Sequence, residues 1–326
     1  MTGGVYLQAY LEPFARWLTQ PDVTDILVNR PGEVWVETQT QRLHRIAAPD
    51  ATETVLARLA RQIAAASHQG VSREHPLLSA SLADGSRVQI IAPPATRGAL
   101  ALAIRRHAIS DLSLDELGQG GLFVAKDEEQ RLDDDRALQS LLDAGQVQAF
   151  LAAAVRARRT IVIAGGTGSG KTTLLNALTR EIPDHERLIA IEDAPELKLH
   201  HDNALGLIAV RDEQGEARVD ADALLSAALR MRPDRILLGE LRGKEAFAFL
   251  RAVNTGHPGS ITTVHANGAE AALDQIALLS LMSGVELDWT VARTYVRQIV
   301  DVVVQIERTA SGARRVSEVL FRPSAG

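Results

Sequence analysis

The sequence predicts an α/β protein preceded by a smaller α+β unit, and three observations carry that prediction. At 326 residues the chain exceeds one typical core and suggests about two domains. Its second half alternates apolar, strand-like runs with helical stretches, the pattern of a largely parallel sheet covered by helices on both faces. Its composition, 46% hydrophobic and 23% charged, is that of a folded globular chain and excludes wholesale disorder.

The elements follow in order. Tyr6, Tyr10, Phe14 and Trp17, with Leu7, Leu11 and Leu18, fall at helical spacings and form one apolar stripe. Asp25–Asn29 and Glu33–Glu37 read as two strands around the turn Arg30-Pro31-Gly32. Val55, Leu56, Leu59 and Ile63 mark a second helix. Arg87–Ile91 and Ala99–Arg105 read as further strands, with Pro93-Pro94 in the loop between them. From Ser110 to Asp135 the periodicity weakens; Gly118-Gln119-Gly120-Gly121 and the charged run Lys126–Arg136 read as a linker with short helical pieces. The expected division is 1–106 for the α+β unit, 107–145 for the linker and 146–326 for the α/β unit. In the last of these, strands are expected at Thr160–Ala164, Leu188–Ile191, Leu205–Val210, Ile236–Leu238, Ser260–Val264 and Val300–Ile306. Arg314–Phe321 is expected as an added edge strand.

Bulk properties narrow the function. The net charge of −6, from 35 basic and 41 acidic residues, gives no overall attraction to nucleic acid or anionic lipid. There are no cysteines, so disulfides and thiolate metal sites are excluded. No apolar run approaches the ~18 residues of a membrane span, and the N-terminus lacks the pattern of an export signal. A cytoplasmic protein is expected, one that reaches a membrane from its surface or through partners.

The run Gly165-Gly166-Thr167-Gly168-Ser169-Gly170-Lys171-Thr172 carries the most chemistry. It follows the β-branched stretch Thr160–Ala164 and precedes a helix-like stretch, Thr173–Arg180, the context in which G-x-x-x-x-G-K-[ST] forms a phosphate loop. Glycines let successive backbone N–H groups converge on phosphate oxygens, and the helix N-terminus adds a favourable dipole. Gly166, Thr167, Gly168, Ser169, Gly170, Lys171, Thr172 and Thr173 are therefore the expected nucleotide-binding residues. Lys171 is expected to reach the β- and γ-phosphates, and Thr172 to offer its hydroxyl to Mg²⁺.

Hydrolysis of a bound triphosphate also needs acids near Mg²⁺ and water, and positive charge for the transition state. Two strand-like runs end in carboxylates: Leu188–Ile191 leads to Glu192-Asp193, and Ile236–Gly239 leads to Glu240. Glu192 is expected to polarise water and Glu240 to support Mg²⁺, with exchanged roles left open; Gly239 stands where many such enzymes carry Asp. His265 closes the run Ser260–Val264 and is a candidate γ-phosphate contact, as is His257 in Thr255-Gly256-His257-Pro258-Gly259. Arg87 and the pair Arg105-Arg106 end or begin apolar runs, which by itself assigns them nothing.

Together these motifs resemble the type II/type IV secretion traffic ATPase superfamily over nearly the whole chain. Residues 165–173 match its Walker A motif, Ile191–Leu197 resembles its Asp box, and Leu229–Arg242 its Walker B motif, where Gly-Glu is the usual ending. Thr255–Ser260 with Thr263–Asn267 resembles its His box. The opening Asp25–Gly32 and the absence of a four-cysteine module point to the type IV secretion and conjugation branch, the VirB-type ATPases. The resemblance implies a RecA-like C-terminal domain, a homohexameric ring, and ATP with Mg²⁺ sandwiched between two lobes. It implies that Arg87 and Arg105 approach the phosphates, and that domain motion drives translocation or pilus assembly. It further implies inner-membrane secretion components and coupling ATPases as partners, with peripheral membrane association and no sequence-specific nucleic acid. The alternative functions are a type IV pilus or type II secretion assembly ATPase, a RecA-like nucleic-acid motor, and a P-loop kinase. Aromatics at 4% and the acidic balance weigh against the nucleic-acid motor.

Overall fold

In the computed structural model, which describes residues 3–106, 113–119, 122–123, 128–210 and 215–323, the chain builds two sheets one after the other. Helix α1 (Gly3–Leu11) runs into a 3-10 turn at Glu12–Phe14, where Pro13 interrupts the α pattern, and α2 (Ala15–Leu18) follows. The expected single stripe is thus split: Phe14 and Trp17 are buried, whereas Tyr6 is 61% exposed. Strands β1 (Val23–Val28), β2 (Gly32–Thr38) and β3 (His44–Ala48) precede α3 (Glu53–Ala66). The β1–β2 turn uses Gly32 at φ +86°. Helix α3 is capped by Thr52, whose hydroxyl accepts from the Val55 N–H at 3.3 Å. It buries Leu56, Leu59 and Ile63, an i, i+3, i+7 set. Strands β4 (Leu77–Ser81), β5 (Arg87–Ile91) and β6 (Ala101–Arg105) complete an antiparallel sheet in the order β3-β2-β1-β6-β5-β4.

Much of the expected linker is helical. Helix α4 (Leu114–Gln119) and helix α5 (Glu128–Asp143) lie there; residues 107–112, 120–121 and 124–127 fall outside the described residues. Leu138 of α5 is buried, and Asp135 pairs with Arg159 at 2.7 Å, so this charged run is not a solvated tether. It packs on α6 (Val147–Arg156).

The second sheet then alternates as expected. Its elements are β7 (Ile161–Gly165), α7 (Lys171–Thr179), β8 (Leu188–Glu192), β9 (Ala204–Ile208), α8 (Ala221–Ala228), β10 (Arg235–Leu241), α9 (Glu245–Asn254), β11 (Ile261–Val264), α10 (Ala269–Leu281), α11 (Trp289–Ile299), β12 (Val302–Arg308) and β13 (Arg314–Phe321). Their order is β13-β12-β7-β11-β10-β8-β9, parallel throughout except for the antiparallel edge strand β13. The central strands are buried on both faces, as a parallel sheet requires. Residues of α5, α6 and α7 cover one face, and those of α8 to α11 cover the other.

The two sheets share packing. Ile26, Val28, Ile90 and Leu102 point to α3, while Leu27, Ile91, Ala101 and Ala103 point the other way and join the α8–α11 core. Polar contacts reinforce this seam. The buried Arg187 guanidinium donates to Asn29 Oδ1 at 2.7 Å and to Asn203 Oδ1, and Arg232 pairs with Glu37 and Asp234. Among the described residues, no helix is long and apolar enough to cross a membrane.

Candidate nucleotide site

The phosphate loop sits where β7 ends and α7 begins, and its glycines have steric reasons. A Cβ at Gly165 would stand 2.5 Å from the Ile306 carbonyl and 2.6 Å from Ser169 Oγ. Gly168 and Gly170 take φ of +71° and +102°, which L side chains adopt only with strain. Gly170 is also the N-cap of α7, so no side chain accepts the first helical N–H groups there. Those donors line a cavity of about 900 Å³. This is an anion cradle built from backbone.

Around it the strand ends converge. The Lys171 ammonium donates to the carbonyls of Gly165 at 2.9 Å and Gly166 at 3.1 Å, and lies 3.4 Å from His265 Nδ1. Burial lowers its pKa, and the charge of Glu240 partly offsets that. His265 Nε2 is 2.7 Å from Glu240 Oε1; the other Glu240 oxygen pairs with Arg242, which reaches Asp193 at 3.6 Å. Lys171, His265, Glu240, Arg242 and Asp193 thus form one continuous chain of polar contacts along the cavity.

Glu192 enters from the next strand. The β8–β10 register sets Ile191 beside Leu238, so Glu192 falls beside Gly239, and its Cγ lies 3.4 Å from where a Gly239 Cβ would be. A carboxylate thus stands beside Gly239 from the neighbouring strand β8. Glu192 is buried: Oε2 accepts the N–H groups of Glu196 (3.0 Å) and Leu197 (2.6 Å), and Oε1 pairs with Arg97. Arg97 comes from the loop before β6 and is fastened by its N–H to Gly206 O and its guanidinium to Leu197 O. Burial lowers the Arg97 pKa.

One expected placement is corrected, and the N-terminal arginines lie apart from the loop in the single chain. His257 does not reach the cavity: it precedes β11, whereas His265 follows it, so the two histidines occupy opposite ends of one strand. His257 Nδ1 donates to Pro233 O at 3.0 Å, and burial lowers its pKa. Nor do Arg87 and Arg105 approach the phosphate loop of their own chain. They face each other across β5 and β6 and line a second cavity, of about 620 Å³, with Ser79, Gln89 and Arg230. Asp220, the N-cap of α8, lines the loop cavity, and Arg230, just past its C-terminus, lines the second. The 8 residues of α8, about 12 Å of helix, lie between these two lining residues. No ion pair to Arg87, Arg105 or Arg230 occurs among the described residues.

Arg97, Arg242 and Arg314 were not singled out by sequence. Arg242 ends the Walker B-like run without a role read from it, whereas Arg97 and Arg314 follow no spacing rule; Arg242 and Arg314 line the cavity and Arg97 meets it through Glu192.

Magnesium fits the residues present. Thr172 lines the cavity with oxygen donors from Glu240 and Asp193 near it, a hard-oxygen set, and no cluster of three or more metal-ligating side chains occurs among the described residues.

A glycine-rich loop between a parallel strand and a helix, faced by strand-end carboxylates, defines an α/β nucleotide-binding protein of the P-loop class. The type II/IV secretion system protein family matches residues 8–323, and the chain belongs to that family. It is 39% identical over 329 residues to the type IV secretion system protein VirB11 of Bartonella quintana, covering 96% of this chain and 92% of that protein. It is 41% identical over 328 residues to the type IV secretion system protein PtlH of Bordetella pertussis, covering 96% and 94%. It also superposes on the crystal structure of the VirB11 ATPase from the Brucella suis type IV secretion system in complex with sulphate, with a TM-score of 0.89 and 38% identity over 98% of this chain and 96% of that one. The chain is thus a homologue of type IV secretion ATPases.

Proposed function

We propose that this chain hydrolyses ATP to ADP and phosphate with Mg²⁺, as a hexameric motor of a type IV secretion system at the cytoplasmic face of the inner membrane. In that reading the α+β unit and the RecA-like unit act as two lobes around the nucleotide. The observation that carries the reading is the cavity in which a backbone anion cradle meets the continuous Lys171–His265–Glu240–Arg242 contacts.

Lys171 leaves the loop carbonyls to bind the β- and γ-phosphates, drawing on a charge that burial has left poorly solvated. Thr172 holds Mg²⁺ with Glu240 in support, and the ion when bound neutralises phosphate charge. His265, between Lys171 and Glu240, registers the γ-phosphate by exchanging partners. Glu192 is anchored by two backbone N–H groups on one oxygen, so its position is fixed while the oxygen paired with Arg97 orients water once that pair opens.

The arginines complete the site between copies. In a ring, a heterologous contact sets one face of each chain against a different face of the next. The lining of the Arg87 and Arg105 cavity has three arginines and no carboxylate, the complement of a triphosphate held on a neighbour.

Phosphate release by the purified chain with Mg²⁺-ATP tests the reading. Glu192→Gln and Glu240→Gln are each expected to lower turnover at least ~100-fold while nucleotide binding persists. Wild-type protein that releases no phosphate would overturn the proposal; full activity in either variant would remove that residue from the chemistry.

A further inference from the structure

The seven strands of the second sheet place β7, which carries the phosphate loop, between two different flanks. On one side lie β11, β10 and β8, which end in His265, Glu240 and Glu192. On the other lie β12 and the antiparallel strand β13, whose first residue is Arg314. Arg314 Nε donates to the Gly168 carbonyl at 3.4 Å. Its methylenes cover Gly170, where an added Cβ would meet Arg314 Cδ at 2.9 Å.

The hairpin that carries Arg314 is fixed against the loop, because the Ile306 carbonyl of β12 presses on Gly165. The adjacent Arg315 has a carboxylate, Glu307, at 2.6 Å. Among the described residues Arg314 has none; its one hydrogen bond goes to a loop carbonyl. A guanidinium kept against an anion cradle without a counter-charge is matched to a phosphate, which it binds in charge-assisted, bidentate fashion.

We infer that Arg314 is a nucleotide-binding residue of the same chain, which grips the α- and β-phosphates from the flank opposite the catalytic carboxylates. This rests on the ATP-binding reading above. The flank decides which phosphates are held: cleavage belongs to the side of Glu192, Glu240 and His265, so Arg314 meets those that do not react. It contributes to binding ATP and ADP alike, and its loss falls on KM more than on kcat.

Displacement of a fluorescent nucleotide by ATP, ADP and inorganic tripolyphosphate, with wild type, R314A and R314K of the full chain, tests this. Thermal melting checks that the variants are folded, which the exposed position of Arg314 favours. R314A is expected to weaken all three ligands by about tenfold, and R314K to recover part of that loss. Wild-type affinity retained by R314A would overturn the inference. A loss for ATP and ADP with tripolyphosphate unaffected would place Arg314 on the base and overturn the phosphate assignment; a loss for ATP alone would move it to the γ-phosphate. Wild-type protein that binds none of the three would instead overturn the ATP-binding reading itself.

Discussion

The two ends of α8 border cavities with unlike linings. At its N-terminus, Asp220 borders a cavity with glycine-rich backbone donors, Lys171 and the carboxylates Glu192 and Glu240. Past its C-terminus, Arg230 borders a cavity whose lining contains three arginines and no carboxylate. The first joins a backbone cradle to carboxylates; the second is lined by arginines, and the acid that feels their charge, Asp25, sits opposite Arg105 on β1 outside the lining. In the proposed reading one chain carries both sets of groups, on separate cavities. Leu27, Ala101 and Ala103 of the first sheet are buried in the same core as α8 to α11, which ties the two cavities to one packed body.

The largest expected effect lies at the first end. Lys171→Ala is predicted to reduce phosphate release by about a thousandfold and to weaken ATP binding, measured by steady-state release and nucleotide titration. Next, Arg87→Ala combined with Arg105→Ala is predicted to lower turnover ~100-fold or more while sparing ADP affinity, because their charge is needed only for the transition state. If the double variant hydrolyses ATP normally, the second cavity has no part in the chemistry and the contrast between the two ends of α8 loses its meaning.

A smaller effect concerns the seam between the two sheets. Arg232 pairs with Glu37 of the first sheet and with Asp234 just before β10, and these partners raise its pKa against the cost of burial. Arg232→Ala is predicted to cost roughly 2–3 kcal/mol of stability, read by chemical denaturation, since it strands a half-buried Glu37. The smallest concerns His257. Burial holds its pKa below the usual 6.5, so the unfolded chain takes up the proton first. Its contribution to stability is full above that pH and falls as pH drops below it. His257→Gln should therefore lose less melting temperature than wild type between about pH 7.5 and 5.5.

The phosphate-loop end of α8 was legible in sequence because its residues are consecutive or stand at strand ends. Gly165–Thr172, Glu192, Glu240 and His265 each follow a β-branched run, and a parallel sheet gathers such positions at one edge. The sheet itself was legible for the same reason. What escaped depends on long-range packing. Strands β3 and β4 are edge strands with partly exposed faces, which leave a weak alternation. Helix α5 hides Leu138 and the Asp135–Arg159 pair within a charged run that reads as solvated. Arg97 and Arg314 gain meaning only from Glu192 and Gly168, residues 95 and 146 positions away. His257 and His265 share one motif, yet only their places before and after β11 tell the anchor from the cavity residue.

The central claim is that two copies make one site, and mixing two inactive variants tests it directly. Lys171→Ala chains retain Arg87 and Arg105, and the double arginine variant retains Lys171. In randomly mixed rings about one quarter of the interfaces would join an intact phosphate loop to an intact arginine pair, and phosphate release should return to that extent. If the mixture stays as inactive as its components while both variants assemble, the arginines do not act across the interface and the account is contradicted.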